Sequence, residues 1–187
     1  MDGGITIFAA GNDNAPGYWF PACYSGTLSV AATNNQDQKA YYASYDTWVD
    51  VSAPGGQVYP TAQGGVLSTV TENGYDFYQG SSMACPHVSG MAALIVSYAH
   101  RNQIRISGSE LKNIIRNTTD NHYGQNPNFV GMLGTGRVNA HHALLSIDPG
   151  RPEVQISSPV DQSIHFLGAE IELSAEANVP NGNINRV

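Results

Sequence analysis

The chain is short of charge, of cysteine and of long apolar runs, and each shortage excludes something. Only 12% of its 187 residues are Asp, Glu, Lys or Arg, and eight basic residues face fifteen acidic ones. A net charge of −7 and a pI near 5.1 leave no basic groove for a phosphate backbone, which argues against nucleic acid as a partner. No apolar run reaches the roughly 20 residues that a membrane span needs, and no signal peptide opens the chain. The two cysteines, Cys23 and Cys85, permit one disulfide without requiring it. Cys85 has no base motif beside it and reads as a small hydrophobe at a packed helix start. Gly, Asn, Ser and Tyr dominate the loops instead, and 41% hydrophobic content suits a globular core of one domain plus a remnant. The acidic, lysine-poor profile fits an extracellular protein.

The apolar residues fall into short alternating elements. Runs over 5–10, 28–32, 48–52 and 66–70 are rich in β-branched residues and bounded by Gly, Asn or Pro, so they read as strands; 75–78 is a further candidate. Val88, Met91, Ala92, Ile95 and Ala99, spaced three or four apart, predict a helix after Ser82. Pro86 is placed in its first turn, where a missing N–H removes no intrahelical bond. Small residues Ala84, Ser89, Gly90, Ala92 and Ala93 would let neighbours approach that helix on several sides. Ser107-Gly108-Ser109-Glu110 has capping-box spacing and predicts a second helix over Gly108 to Asn117, with a third over Asn139 to Ser146. Buried apolar strands followed by helices favour a mostly parallel sheet between helical layers, an α/β fold.

Two segments carry chemistry. Gly80-Ser81-Ser82-Met83-Ala84-Cys85-Pro86-His87-Val88-Ser89-Gly90 places Ser82 where a Gly-containing loop gives way to a helix. A serine there meets the positive helix end, whose unpaired backbone N–H groups, its own included, stabilise an oxyanion. The alternative is a core helix with a Ser-rich cap. Ala9-Ala10-Gly11-Asn12 closes the first strand, at the end where open α/β sheets bind ligands, so Asn12 is placed to donate a side-chain hydrogen bond. An Asn-rich turn over 11–14 is the competing reading. The G-x-S-x-G nucleophile elbow does not apply, because Ala84 occupies its last position.

The serine segment resembles the G-T-S-M-A-x-P-H-V-A-G motif of subtilisin-like serine proteases, the subtilases, departing only at Ser81 and Ser89. In that resemblance Ser82 is the nucleophile and Asn12 the oxyanion donor. The likeness continues through the aromatic-Pro loop Tyr18-Trp19-Phe20-Pro21-Ala22, whose X-Pro bond is commonly cis in the family. It also includes Leu28 to Thr33, Asp50-Val51-Ser52-Ala53-Pro54-Gly55 and Gly134-Thr135-Gly136-Arg137-Val138-Asn139. It implies a subtilisin-like three-layer fold, present in part, and a pocket for the substrate side chain built from Ala9, Ala10, Gly11, Trp19 and Phe20. Trp19 at its floor would favour small or flat side chains; ordinary packing is the other reading. No cofactor is required for the chemistry. The family often binds structural calcium beyond the aromatic-Pro bend, where Asp50 and carbonyls near Ala22 and Tyr24 are candidate ligands.

The family's triad runs Asp, His, Ser, and its D-[ST]-G and H-G-T motifs are absent here. Asp2-Gly3-Gly4 lies too near Asn12 and lacks a preceding apolar strand. In the resemblance His87 faces packing partners, while His100, His122, His141, His142 and His165 are structural or surface groups. The expectation is a carboxyl-terminal part of a secreted or surface bacterial peptidase domain over 1–147, acting on polypeptides. Its catalytic Asp and His would lie in a missing amino-terminal half, leaving this piece inactive alone. The alternative is a noncatalytic surface binding protein with a degenerate protease domain. Residues 148–153 read as a linker. Period-two strands at 154–159, 164–166 and 170–175 resemble the opening of a bacterial immunoglobulin-like module over 154–187, a β-sandwich left incomplete. Such a module suggests attachment to substrate, matrix or cell surface; a spacer is the other reading.

Overall fold

A computed structural model of the chain describes residues 4–148, 153–158, 168, 170–171 and 174–178. Residues 1–146 and 147–187 form two compact units.

The first unit is built on a parallel sheet of β1 (Thr6–Ala9), β2 (Thr27–Thr33) and β3 (Val51–Pro54), in that order. Thr6 stands opposite Thr27, and Val30 opposite Val51. All seven residues of the central strand are buried, which explains why it reads as a continuous apolar run. Its polar members are satisfied: the Ser29 hydroxyl donates to the Trp48 carbonyl at 3.0 Å, and that of Thr33 to the Ala53 carbonyl at 3.3 Å. The third strand begins three residues later than the sequence predicts. Val49 N–H closes a turn on the Asp46 carbonyl, so Trp48 and Val49 stay outside the ladder.

Helix α1 (Ser81–Arg101) lies across all three strands and buries Ala84, Val88, Met91, Ala92, Ile95 and Ala99. Each large side chain so buried contributes on the order of 2 kcal/mol. Packing is one-sided: Ser89, Gly90, Ala93 and Leu94 are exposed, so the close approach expected on several sides is not found among the described residues. Pro86 is also displaced from its expected place. The helix starts at Ser81, so Pro86 is its sixth residue and has no N–H to give the Ser82 carbonyl four residues back.

Helix α2 (Gly108–Asn117) keeps its predicted bounds. Ser107 Oγ accepts from Glu110 N–H, and Glu110 Oε2 accepts from Ser107 N–H at 2.7 Å. The Ser107 hydroxyl, donating to Glu110 Oε2 at 2.6 Å, and then the Ser107 N–H hold the Glu110 carboxyl below its ordinary pKa. Helix α3 (Ala140–Ser146) follows the segment 134–138, which runs beside β3: Ser52 N–H donates to the Gly136 carbonyl at 2.8 Å. Gly134 must be glycine there. Its φ is +82°, and a Cβ would come within 2.4 Å of the Asp50 backbone.

The run at 66–70 is not a buried parallel strand. β4 (Val66–Val70) and β5 (Gly74–Tyr78) form an exposed antiparallel hairpin, turned by Glu72 and Asn73 at φ near +60°. In the second unit, β6 (Glu153–Ser158) pairs antiparallel with β7 (Ser174–Asn178). The predicted strand at 164–166, with His165, lies outside the described residues, as do Asp2, Gly3 and most of the 148–153 linker.

Candidate active site

The carboxyl end of β1 delivers Ala10, Gly11 and Asn12 to the amino end of α1. Ala10 is fully buried with Ala31, Val49 and Leu133, and its N–H donates to the Val30 carbonyl at 2.9 Å, so it belongs to the core and exposes no surface to a substrate. Gly11 N–H donates to Ser81 Oγ at 3.2 Å, and Gly11 C=O accepts from Ser44 N–H at 3.0 Å. The Asn12 side chain is thereby presented to the helix start.

There the two serines of the motif separate in role. Ser81 is buried and fully engaged: its N–H and its hydroxyl both donate to Asn12 Oδ1, at 2.8 and 2.9 Å. Ser82 is exposed, and its hydroxyl has no hydrogen-bond partner among the described residues. Two donors on Oδ1 settle which way the Asn12 amide faces and leave Nδ2 as its free donor. Of the first four helical N–H groups, three find acceptors, Ser81 on Asn12 and Met83 and Ala84 on the Gly80 carbonyl. That of Ser82 does not.

Gly80 is where the two free donors meet. A Cβ on Gly80 would stand 3.5 Å from Asn12 Nδ2 and 3.6 Å from the Ser82 nitrogen, and the residue's φ of +147° disfavours a side chain. Its N–H is held by the Gly55 carbonyl at 2.9 Å and by the Tyr42 hydroxyl at 2.8 Å. That hydroxyl reaches the carbonyls of Gly55 and Gly56 in turn, at 2.9 and 2.7 Å. Burial pushes the Tyr42 phenol up to about 12, against the hydrogen bond from Gly80, so it stays a neutral clamp. Sequence reasoning missed Tyr42, Ser81 and Ser44. Their partners lie 38, 69 and 31 residues away, beyond the reach of any local pattern.

Trp19 and Phe20 stand on the loop after β1, 36% and 77% exposed, and the Phe20-Pro21 bond is cis. Ala9 is half-buried. His87 is exposed, not packed as the resemblance implies; its Nδ1 lies 2.8 Å from the Met83 carbonyl, one helical turn back. No carboxylate or imidazole among the described residues hydrogen-bonds Ser82. His141 and His142 are surface neighbours, and no group of three His, Cys, Asp or Glu among the described residues could hold a metal. Cys23 and Cys85 are free thiols, and burial raises the Cys85 pKa.

The residues proposed for calcium do not fit it. The carbonyls of Ala22 and Tyr24 both accept from Thr27 Oγ1, at 3.0 and 2.8 Å. Asp50 Oδ2 accepts from Ser29 N–H at 3.0 Å and pairs with Lys112 Nζ at 3.1 Å, while Oδ1 lies 3.3 Å from Arg116 Nε. Calcium wants six to eight oxygens; this carboxylate already faces two cations.

Comparison with known proteins gives the family and the fold. The model of the subtilase family matches residues 2–136. A thermophilic serine proteinase from Bacillus sp. (strain AK1) is 36% identical over 142 residues, 76% of this chain and 31% of its own length. An extracellular basic protease from Dichelobacter nodosus is 34% identical over 165 residues, 87% of this chain and 26% of its own. Among solved structures, a protease from Pseudoalteromonas arctica PAMC 21717 superposes with a TM-score of 0.65 at 33% identity, over 76% of this chain and 42% of that one. The chain therefore spans about a quarter to a third of the two curated relatives and 42% of that structure.

Proposed function

The chain belongs to the subtilase family, and from that premise we propose that it supplies the nucleophile and oxyanion site of a serine endopeptidase acting on polypeptides. Ser82 Oγ attacks the peptide carbonyl and passes its proton to a base. The carbonyl oxygen, now negative, sits between Asn12 Nδ2 and the Ser82 N–H. Its collapse breaks the C–N bond, the amine leaves with a proton, and water later releases the acyl group from Ser82. The observation that carries this reading is the pairing of Ser81 with Asn12, which fixes the amide so that its N–H₂ is left to donate.

The base lies, on this reading, in an amino-terminal part of the same domain outside these 187 residues. Nothing described here accepts the Ser82 proton, and the relatives are much longer. Without a base the expected loss is about 10⁶ in turnover, a figure that comes from subtilisin itself, so the chain alone is inactive. Backbone of Ala9 and Gly11 with Trp19 and Phe20 would form the side-chain pocket. Secretion is supported by a relative named extracellular. Residues 154–187 would begin an immunoglobulin-like domain, supported by the antiparallel pair β6 and β7.

The unaccompanied Ser82 hydroxyl equally suits the second reading, a noncatalytic binding protein. Fluorophosphonate labelling of the intact protein separates the two. A label on Ser82 is expected; its absence in the folded protein would sink the protease.

A further inference from the structure

We propose that Lys112 is a tethered cation. Its ammonium occupies the cation position between the loop after Pro21 and Asp50, and holds that loop without a metal ion. Lys112 stands on α2 and its side chain is only 20% exposed. An ammonium has three N–H donors and no acceptor. Three oxygens receive them: the carbonyl of Thr27, the carbonyl of Ser25 at 3.3 Å, and Asp50 Oδ2 at 3.1 Å. This oxygen set, backbone carbonyls plus one carboxylate, is of the kind a hard cation takes, but its number matches one ammonium rather than a metal.

Charge gives the same answer. Asp50, 12% exposed, offers one negative charge and already faces Lys112 and Arg116. A divalent ion beside them would meet repulsion from both. Within the loop, Cys23 N–H bonds the Trp19 carbonyl at 2.9 Å and Tyr24 N–H that of Pro21 at 3.1 Å, so fixing Ser25 and Thr27 also steadies Trp19 and Phe20. The inference does not rest on the catalytic reading, since its readout is stability.

The test compares thermal unfolding of the full chain and of Lys112→Ala and Lys112→Met, each in chelator, in millimolar calcium chloride and in methylammonium chloride. Lys112→Ala empties the position while leaving its oxygens, and is expected to melt roughly 10 °C lower in chelator. Added methylammonium should restore most of that loss, well beyond any response of the parent chain, while calcium, short of oxygens and still facing Arg116, should restore little. Lys112→Met fills the space without charge and should stay low in all three. If Lys112→Ala gains no more from methylammonium than the parent does, or gains as much from calcium, the proposal is overturned. Should that variant not fold, acetylation of the native parent chain decides: Lys112 is expected to resist the reagent in chelator as in calcium. Labelling in chelator that calcium suppresses would overturn it.

Discussion

Asn12 shows how one residue's chemistry is set by its neighbour. With Oδ1 accepting both the N–H and the hydroxyl of Ser81, the amide cannot turn over without losing two hydrogen bonds. On the proposed reading the donor is therefore in place before any charge develops, which is what makes an oxyanion site effective. Asn12→Ala should lower kcat of the intact protein by about 10² to 10³ with KM little changed, the range known for losing one such donor in subtilisin. Steady-state kinetics on a peptide substrate check it. A rise in KM at constant kcat would mean that Asn12 binds substrate and transition state alike. Gly80 permits a second, sharper experiment. A methyl there meets nothing closer than 3.5 Å, so Gly80→Ala need not clash with the fold, but it fills the space between the two donors. Its expected signature is a loss of turnover of at least about tenfold beside the modest fall in melting temperature that an L side chain at a φ of +147° brings; a fall in melting temperature with turnover unchanged would overturn it.

The elements around the site place these residues because strand, loop and helix converge on one core cluster. Leu133 is fully buried against Ala10, Ala31 and Val49, and Ala10 immediately precedes the Gly11-Asn12 segment. Leu133→Ala should therefore lower stability by about 2–5 kcal/mol, read by denaturant unfolding. Because the cavity lies under the Asn12 loop, it should also lower kcat, which an equally buried change at Ile115 on α2 should not. What the sequence made legible follows the range of the interactions involved. Helix α2 was readable to its ends because its capping box is written within four residues, Ser107 to Glu110. The start of α1 was misjudged because Gly80 is shaped by Tyr42 and Gly55, both far away in the chain. The hairpin of β4 and β5 has the same apolar content as a core strand, and only its exposure tells it apart. Ser82 and Asn12 stood out through their motifs. That Ser81 is what orients Asn12 depends on a contact across 69 residues, which no local pattern records.

Across the whole first unit, three windows of pH dependence separate cleanly. Lys39, half-buried against the rings of Tyr45 and Phe129, is lowered by desolvation to about 8. A folded pKa below the unfolded value of 10.5 means stability present above that value and lost as pH falls towards about 8, with no change further down. Asp46 and Glu110 have lowered pKa values through hydrogen bonds from Thr47 and Ser107, so their contributions are complete above 3.8 and 4.5 and are lost as pH falls below those values. His122 governs the window between. Its ring is buried, stacks on Tyr123 at 5.3 Å, and has no hydrogen-bond partner for either nitrogen among the described residues. Desolvation pushes its pKa below the ordinary 6.5, outweighing the Asp120 backbone and the Asp37 charge, while Arg137 adds to the lowering. The unfolded chain thus binds the proton that the folded chain refuses. Stability from this group is complete above 6.5 and falls as pH drops through the lowered value. His122→Phe keeps the stacking and removes the proton site. Melting curves from pH 8 to 5 should decline for the parent chain below about 6.5 and stay flatter for the variant. Parallel declines would place the acid sensitivity outside this ring.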